Sequence, residues 1–138
     1  MYKQRLGGDN MEPVQNTGNE NLKGIAKGVL ISISTTIIEC LIFAVILTYT
    51  NISEDTITPV IIMITAISIF IGSTIGNAKI QKNGLVNGAG VGFIYIIAIY
   101  LISSIINGHF TLNIASIIMI VLSIVFGILG GIIAVNKK

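Results

Sequence analysis

The fold is decided by the first long apolar run, residues 28–49, which reads GVLISISTTIIECLIFAVILTY and contains one charged residue, Glu39. Three further apolar runs follow at about residues 57–76, 85–106 and 112–135. Each run has about the 20 residues that a helix needs to cross the hydrocarbon core of a bilayer, which is about 30 Å thick. The pattern predicts an all-α polytopic membrane protein with four transmembrane helices in an antiparallel bundle.

The composition excludes a soluble globular domain. Of the 138 residues, 53% are apolar and only 10% are charged, whereas soluble domains carry about 25% charged residues. The first residues are polar, rich in Gly and Asn, and show no periodic apolar face. We therefore expect residues 1–22 to form a disordered cytoplasmic tail and residues 23–138 to form the transmembrane domain.

The basic residues all fall on one side of the predicted bundle. They precede the first run, lie between the second and third, or follow the fourth: Lys3, Arg5, Lys23, Lys27, Lys79, Lys82, Lys137 and Lys138. The two other loops contain no Lys or Arg. Because short loops rich in Lys and Arg stay in the cytoplasm, this distribution predicts that both termini are cytoplasmic.

Glycine residues recur with four-residue spacing near one end of each run. This spacing places small residues on one helix face and allows two helix backbones to approach closely in lipid. The predicted helix-packing glycines are Gly28, Gly72, Gly76, Gly84, Gly88, Gly92, Gly127 and Gly131. All of them fall in the predicted cytoplasmic half, so we expect a bundle that is tight at that end and wider at the other.

Glu39 is the one acidic residue that the sequence places inside the membrane. It lies 11 residues into the first run, about 16 Å from the inner edge at 1.5 Å per residue. A charged side chain at that depth costs at least ~2.5 to 3.5 kcal/mol, and no run contains a basic residue to neutralise it. We therefore expect a neutral carboxyl group that needs hydrogen-bond partners. The same arithmetic predicts a midplane polar layer formed by Glu39, Thr65, Tyr95 and Ser123.

Three interpretations of this layer stay open: a buried acid that fixes helix packing through hydrogen bonds, a proton-linked or ion-linked site, and a different span boundary or a contact with a partner. The sequence contains no Ser/His/Asp set, phosphate-binding loop, HExxH motif or paired intramembrane carboxylates. Cys40 is the only cysteine, which excludes an intrachain disulfide and a cysteine-based metal site. We expect no catalytic residue, metal, cofactor or nucleic-acid partner. The expected partners are the lipid bilayer and another membrane protein or a second copy of the chain.

Three glycine-containing stretches carry a family resemblance: IGSTIGNAK at 71–79, NGLVNGAGVGFIY at 83–95 and GILGGIIAVN at 127–136. On these stretches the chain resembles an uncharacterised family of small four-span membrane proteins of low-GC Gram-positive bacteria. The resemblance implies a multi-pass protein of the bacterial plasma membrane and supplies no catalytic residue. Because no residue set for catalysis is present, the first expected function is a structural, interaction or accessory component of that membrane.

The alternative function is a small proton-linked transporter that uses Glu39. The chain is similar to small multidrug-type exporters in having four short spans and one acid within the first. It departs from them because it has no tryptophan for an aromatic substrate cage. The one-sided distribution of its basic residues also argues against the dual insertion that some of those exporters use.

Overall fold

The computed structural model describes residues 11–79, 83–109 and 112–137. These residues form four α-helices: α1 (Met11–Tyr49), α2 (Glu54–Gly76), α3 (Gly84–Asn107) and α4 (Ile114–Asn136). The described residues contain no strand. Each helix is long and apolar enough to cross a membrane, with α1 contributing the stretch Asn19–Tyr49. The expectation of an all-helical membrane protein with four apolar helices is confirmed.

The helix ends follow from local backbone chemistry. The Asn113 side chain accepts a hydrogen bond from the Ser116 backbone N–H at 2.9 Å and so caps the start of α4. Gly108 ends α3 in the left-handed conformation, with φ +70°, which glycine adopts without a steric penalty. Ser53 precedes α2, whose first turn carries Glu54 and Asp55, acids that interact favourably with the positive end of a helix dipole.

Helix α1 differs from the expectation at its start. Residues 11–22 were predicted to belong to the disordered tail, but the structure places them in the helix. Extending an existing helix avoids the cost of a new nucleus, and Asn87 of α3 donates a hydrogen bond to Asn21 at 3.1 Å. The structure describes residues 11–22 as helical, and the division into a cytoplasmic tail and a transmembrane domain stays a prediction. Residues 1–10 lie outside the described residues.

The helices pack as two close pairs, α1 with α2 and α3 with α4. The two pairs are joined mainly by the packing of α2 along α4. Helix α1 contacts α3 less extensively, and α2 contacts α3 only slightly. Across the described residues, α1 and α4 make no contact. Helix α2 is therefore the most enclosed helix, and α1 lies at the edge of the bundle.

The buried residues all lie in the glycine-containing half of the bundle. They fall within residues 24–32 of α1, 65–77 at the end of α2, 84–96 of α3 and 123–134 of α4. In the opposite half, none of the described residues is fully buried, and large side chains such as Ile105 and Ile114 are exposed. The prediction of a bundle that is tight at the glycine end and wider at the other end is confirmed.

Candidate functional site

Glu39 lies just beyond the tightly packed half, on the side of α1 that contacts α2. Its side chain is half-buried, and the hydroxyl group of the fully buried Ser68 donates a hydrogen bond to Glu39 Oε2. Ser68 Oγ also lies 2.8 Å from the backbone oxygen of Ile64, one turn earlier in α2. Glu39 therefore reaches across the α1–α2 contact to a polar group inside the bundle.

The hydrogens in this contact can be counted. Ser68 has one hydroxyl hydrogen and two acceptors within reach, the Ile64 carbonyl oxygen and Glu39 Oε2. One hydrogen cannot fully satisfy both acceptors, so Ser68 shares it between the Ile64 carbonyl oxygen and Glu39 Oε2.

A second polar group joins α1 to α3 beside Glu39. The hydroxyl oxygens of Tyr95 and Thr36 lie 2.7 Å apart, and Thr36 donates a hydrogen bond to the Ser32 backbone oxygen at 2.8 Å. Since Thr36 uses its hydrogen for Ser32, Tyr95 is the donor in the first bond. Thr65 also interacts with the Tyr95 hydroxyl group. Together with the Asn87–Asn21 hydrogen bond, this bond ties the edge helix α1 to α3.

The structure brings together three of the four residues of the predicted polar layer. Thr65 and Tyr95 are buried side by side, and Glu39 lies near enough for electrostatic interaction with Tyr95. Ser123 is placed elsewhere: it is fully buried where α3 meets α4, and its hydroxyl group donates to Ile120 O of its own helix at 2.8 Å. Its backbone oxygen lies against Gly92.

The sequence arithmetic missed Ser68 and Thr36 as polar partners. It compared the heights of Cα atoms, whereas helical side chains lean toward the N-terminus of their own helix. The Glu39 carboxyl group therefore lies nearer to the glycine end of the bundle than the Glu39 Cα atom does. At that position it meets Ser68 rather than Thr65. The signal was present in the sequence, because Ser68 follows Thr65 by three residues on the same helix face.

The predicted glycines lie at the helix contacts. Between α3 and α4, a Cβ atom on Gly84 would overlap the Gly131 carbonyl oxygen, and one on Gly88 would overlap the Gly127 oxygen. Between α1 and α2, a Cβ atom on Gly76 would lie 2.6 Å from the Gly28 nitrogen. The remaining predicted glycines, Gly72 and Gly92, also meet a neighbouring helix. At Gly76, Gly88 and Gly92 the nearest atoms are all backbone atoms, so there is no side chain that could move aside. Gly28 and Gly72 also meet a side chain, that of Val91 or Ser32 respectively.

Gly130 is a contact that the sequence reasoning missed. A Cβ atom there would lie 2.6 Å from the Phe70 carbonyl oxygen, where α4 packs against α2. Four-residue spacing selects Gly127 and Gly131 for one face, but Gly130 points about 100° away from Gly131. The adjacent pair Gly130–Gly131 therefore serves two partners, α2 and α3. The Gly130–Gly131 dipeptide within an apolar run is the sequence feature that could have indicated this second contact.

Side-chain hydrogen bonds reinforce the contact between α2 and α4. Ser73 donates to the Gly127 backbone oxygen at 2.7 Å, and Thr74 lies 3.3 Å from that of Gly130. The Asn77 amide nitrogen donates to the Ser73 backbone oxygen at 2.8 Å, while its side-chain oxygen has no partner among the described residues. Polar groups therefore hold α4 to α2 inside the tight half.

An open apolar groove lies next to Glu39 in the wider half. It has a volume of about 260 Å³ between α1 and α2, and it is lined by Glu39, Ile42, Phe43, Ile46, Val60 and Ile64. Glu39 Oε2 faces Ser68, while Oε1 has no hydrogen-bond partner among the described residues. Half of the carboxyl group thus stands unpaired at the edge of an apolar surface.

Within the described ranges, no group of three His, Cys, Asp or Glu side chains is placed to hold a metal ion. Cys40 is exposed on α1. The described residues therefore offer no arrangement from which to build a metal site, and the expectation that the chain has no cofactor stays a prediction.

Four long apolar helices around a small polar centre define a small membrane protein with several candidate spans. The chain belongs to DUF3792, a family of proteins of unknown function, whose family model matches residues 21–134. The match covers the first three apolar runs and the fourth as far as residue 134, and it does not include residues 1–20. No curated protein and no solved structure matches the chain.

Proposed function

We propose that this protein is an accessory or interaction component of the bacterial plasma membrane that contacts a partner through the groove beside Glu39. The observation that carries the proposal is the unpaired half of the Glu39 carboxyl group. The hydrocarbon core contains no water to satisfy polar groups, so an unpaired oxygen there costs several kcal/mol. A transmembrane helix that brings a hydrogen-bond donor to this depth would remove that cost.

The surroundings of Glu39 suit such a helix. Ile42 and Ile46 follow it along α1, and Val60 and Ile64 line the opposite wall on α2. An apolar helix surface can pack into this groove while its polar side chain meets Glu39 Oε1. The proposal assigns no catalytic chemistry, metal, cofactor or nucleic acid to the chain. The partner is a second membrane protein, and a second copy of the chain is the competing occupant.

The groove contact is tested by site-specific photo-crosslinking in membranes. A photoreactive residue at Ile46, inside the groove, is expected to give one discrete crosslinked protein, also recovered in stoichiometric amount after mild-detergent purification. The same residue at Leu41, which is 63% exposed and does not line the groove, is the matched control. Equal crosslinking from both positions, or a purified chain that contains only copies of itself, contradicts the proposal.

Proton-linked transport is the second candidate function. The observation that favours it is the pair of hydroxyl groups of Tyr95 and Thr36 beside the Glu39 carboxyl group. This series of hydrogen bonds ends at the Ser32 backbone oxygen, which accepts from Thr36, and the Ser32 hydroxyl group donates separately to Gly28 O inside the tight half. A transporter would have to open that half, where glycine backbones are in contact.

We propose that the helices form an antiparallel bundle with both termini in the cytoplasm. The distribution of lysines supports this orientation. The order of contacts supports the antiparallel arrangement: Gly84 meets Gly131, Gly88 meets Gly127, and Gly92 meets Ser123. As residue numbers rise along α3, they fall along α4. In α1 and α2 the pairs Gly28 with Gly76 and Ser32 with Gly72 follow the same order.

Cysteine labelling tests the orientation. In a Cys40→Ser background, Ser53→Cys is expected to react with a membrane-impermeant maleimide in intact cells. Ala78→Cys, in the loop that carries Lys79, is expected to react only after the membrane is permeabilised. Both positions are accessible, since Ser53 and Ala78 are exposed. The reverse pattern would show the opposite orientation, and labelling of both residues in intact cells would show dual insertion.

A further inference from the structure

A charged cleft lies at the glycine end of the bundle, away from Glu39. It has a volume of about 190 Å³ and is bounded by the beginning of the apolar part of α1 and the end of α2. Its lining consists of Glu20, Lys23, Gly24, Lys27, Gly76 and Lys79. We call it the lysine cleft. None of its residues belongs to the polar layer or the apolar groove.

The close contact of α1 and α2 brings the three lysines to one cleft. Lys23 and Lys27 are four residues apart and share one face of α1. Lys79 follows the end of α2, where Gly76 approaches so closely that a Cβ atom would lie 2.7 Å from the Gly24 carbonyl oxygen. A larger residue at either glycine position would push Lys79 away from the other two lysines.

The charge of the lysine cleft is unbalanced. It contains three lysines and one carboxylate, Glu20, and no salt bridge to these lysines is present among the described residues. All three lysines are exposed. Three like charges around one cleft repel each other unless an anion lies between them. The position of Lys79 at the negative end of the α2 dipole does not explain why Lys23 and Lys27 share its cleft.

We propose that the lysine cleft binds the phosphate group of an anionic phospholipid. The lysines supply the charge, and the Glu20 carboxylate can accept a hydrogen bond from a hydroxyl group of the lipid head. Apolar residues continue from the same faces into the membrane: Leu30 follows Lys27 by three residues, and Ile75 precedes Lys79 by four. Both are exposed, so acyl chains can lie on them. This continuity favours a lipid over free phosphate.

Lipid binding to the purified protein tests the proposal. The probes are dioleoyl phosphatidylglycerol, dioleoyl phosphatidylcholine with the same acyl chains, and inorganic phosphate, with binding measured by native mass spectrometry. Replacement of Lys23, Lys27 or Lys79 by Gln is expected to weaken phosphatidylglycerol binding about fivefold each, the effect of about one favourable lysine. Lys27→Arg, which keeps the charge, is expected to retain binding. Lys137→Gln is the control and is expected to change binding less than about twofold.

Three outcomes would overturn the proposal. Equal retention of the two lipids by the wild-type protein would show no selection for anionic heads. A loss in Lys137→Gln as large as in Lys27→Gln would show a diffuse charge effect. Displacement of phosphatidylglycerol by millimolar inorganic phosphate would identify a site for free phosphate. None of these outcomes tests the Glu39 groove. The lipid-binding proposal can therefore fail while the accessory function holds, and the accessory function can fail while lipid binding holds.

Discussion

Replacing Gly88 with alanine is expected to lower the free energy of unfolding by about 2 kcal/mol, the middle of the range for overpacking a well-packed site. The added Cβ atom would overlap the Gly127 carbonyl oxygen. A carbonyl oxygen of a helix cannot rotate away, so α3 and α4 must separate. Separation also weakens the neighbouring contacts of Gly84 with Gly131 and Gly92 with Ser123. The loss exceeds the gain of up to about 1 kcal/mol that alanine brings to a helix.

Gly90 on the same helix is the matched control. A Cβ atom there would lie 3.0 Å from the end of the Ile25 side chain and near no backbone atom. Because that side chain can change its rotamer, Gly90→Ala is expected to be neutral or slightly stabilising through helix propensity. Both variants are compared by denaturation in mixed detergent micelles, followed by circular dichroism. Equal stability of the two variants would show that α3 and α4 are not in backbone contact at Gly88.

The packing faces could be predicted from the glycine spacing, because in lipid such spacing has one main cause, the close packing of helices. In a bilayer the surroundings of a helix are as apolar as leucine, so small residues with four-residue spacing indicate backbone contact. Gly88 and Gly127 follow this rule. The choice of partner helix does not follow from it, because a glycine face fits any other glycine face. The contact between Gly130 and Phe70, and the pairing of α2 with α4, therefore required the structure.

The depth of each polar residue along its helix could be predicted from the sequence, but its hydrogen-bond partner could not. Residue counting brings Glu39 and Tyr95 to the same height, and the structure places them close together. Hydrogen bonds depend on side-chain reach, and a glutamate extends about a helical turn from its Cα atom. The partner of Glu39 is consequently Ser68, and Tyr95 bonds to Thr36. Ser123 has the right height but belongs to the contact between α3 and α4.

Substitutions at Glu39 distinguish the two candidate functions. Each function requires a different property of the side chain, and each property is removed by a different substitution. In the accessory function the carboxyl group meets a donor from the partner. In the transport function it exchanges a proton. Leucine removes every hydrogen bond of the side chain and keeps its bulk. Glutamine keeps an acceptor and a donor but cannot exchange a proton near neutral pH.

We expect Glu39→Leu to leave the bundle folded and to reduce partner recovery about tenfold, consistent with the loss of a membrane hydrogen bond worth about 1 to 2 kcal/mol. The fold survives because Ser68 keeps its bond to the Ile64 backbone oxygen, so no buried group loses its only partner. Recovery is measured by quantitative mass spectrometry after mild-detergent purification. Ile38→Leu, at a position 59% exposed on the same helix, is the control and is expected to match the wild type.

Glu39→Gln is expected to retain the partner, because its amide nitrogen can donate to Ser68 Oγ while its amide oxygen accepts from the partner's donor. Proton-coupled flux is measured on the same variant in vesicles with an imposed pH gradient. If the wild-type protein carries such a flux and Glu39→Gln abolishes it, Glu39 is a proton-exchanging residue and the accessory function is wrong. If Glu39→Leu loses the partner and Glu39→Gln keeps it, the unpaired carboxyl oxygen is the contact, since glutamine preserves the hydrogen bond and removes only the exchangeable acid proton.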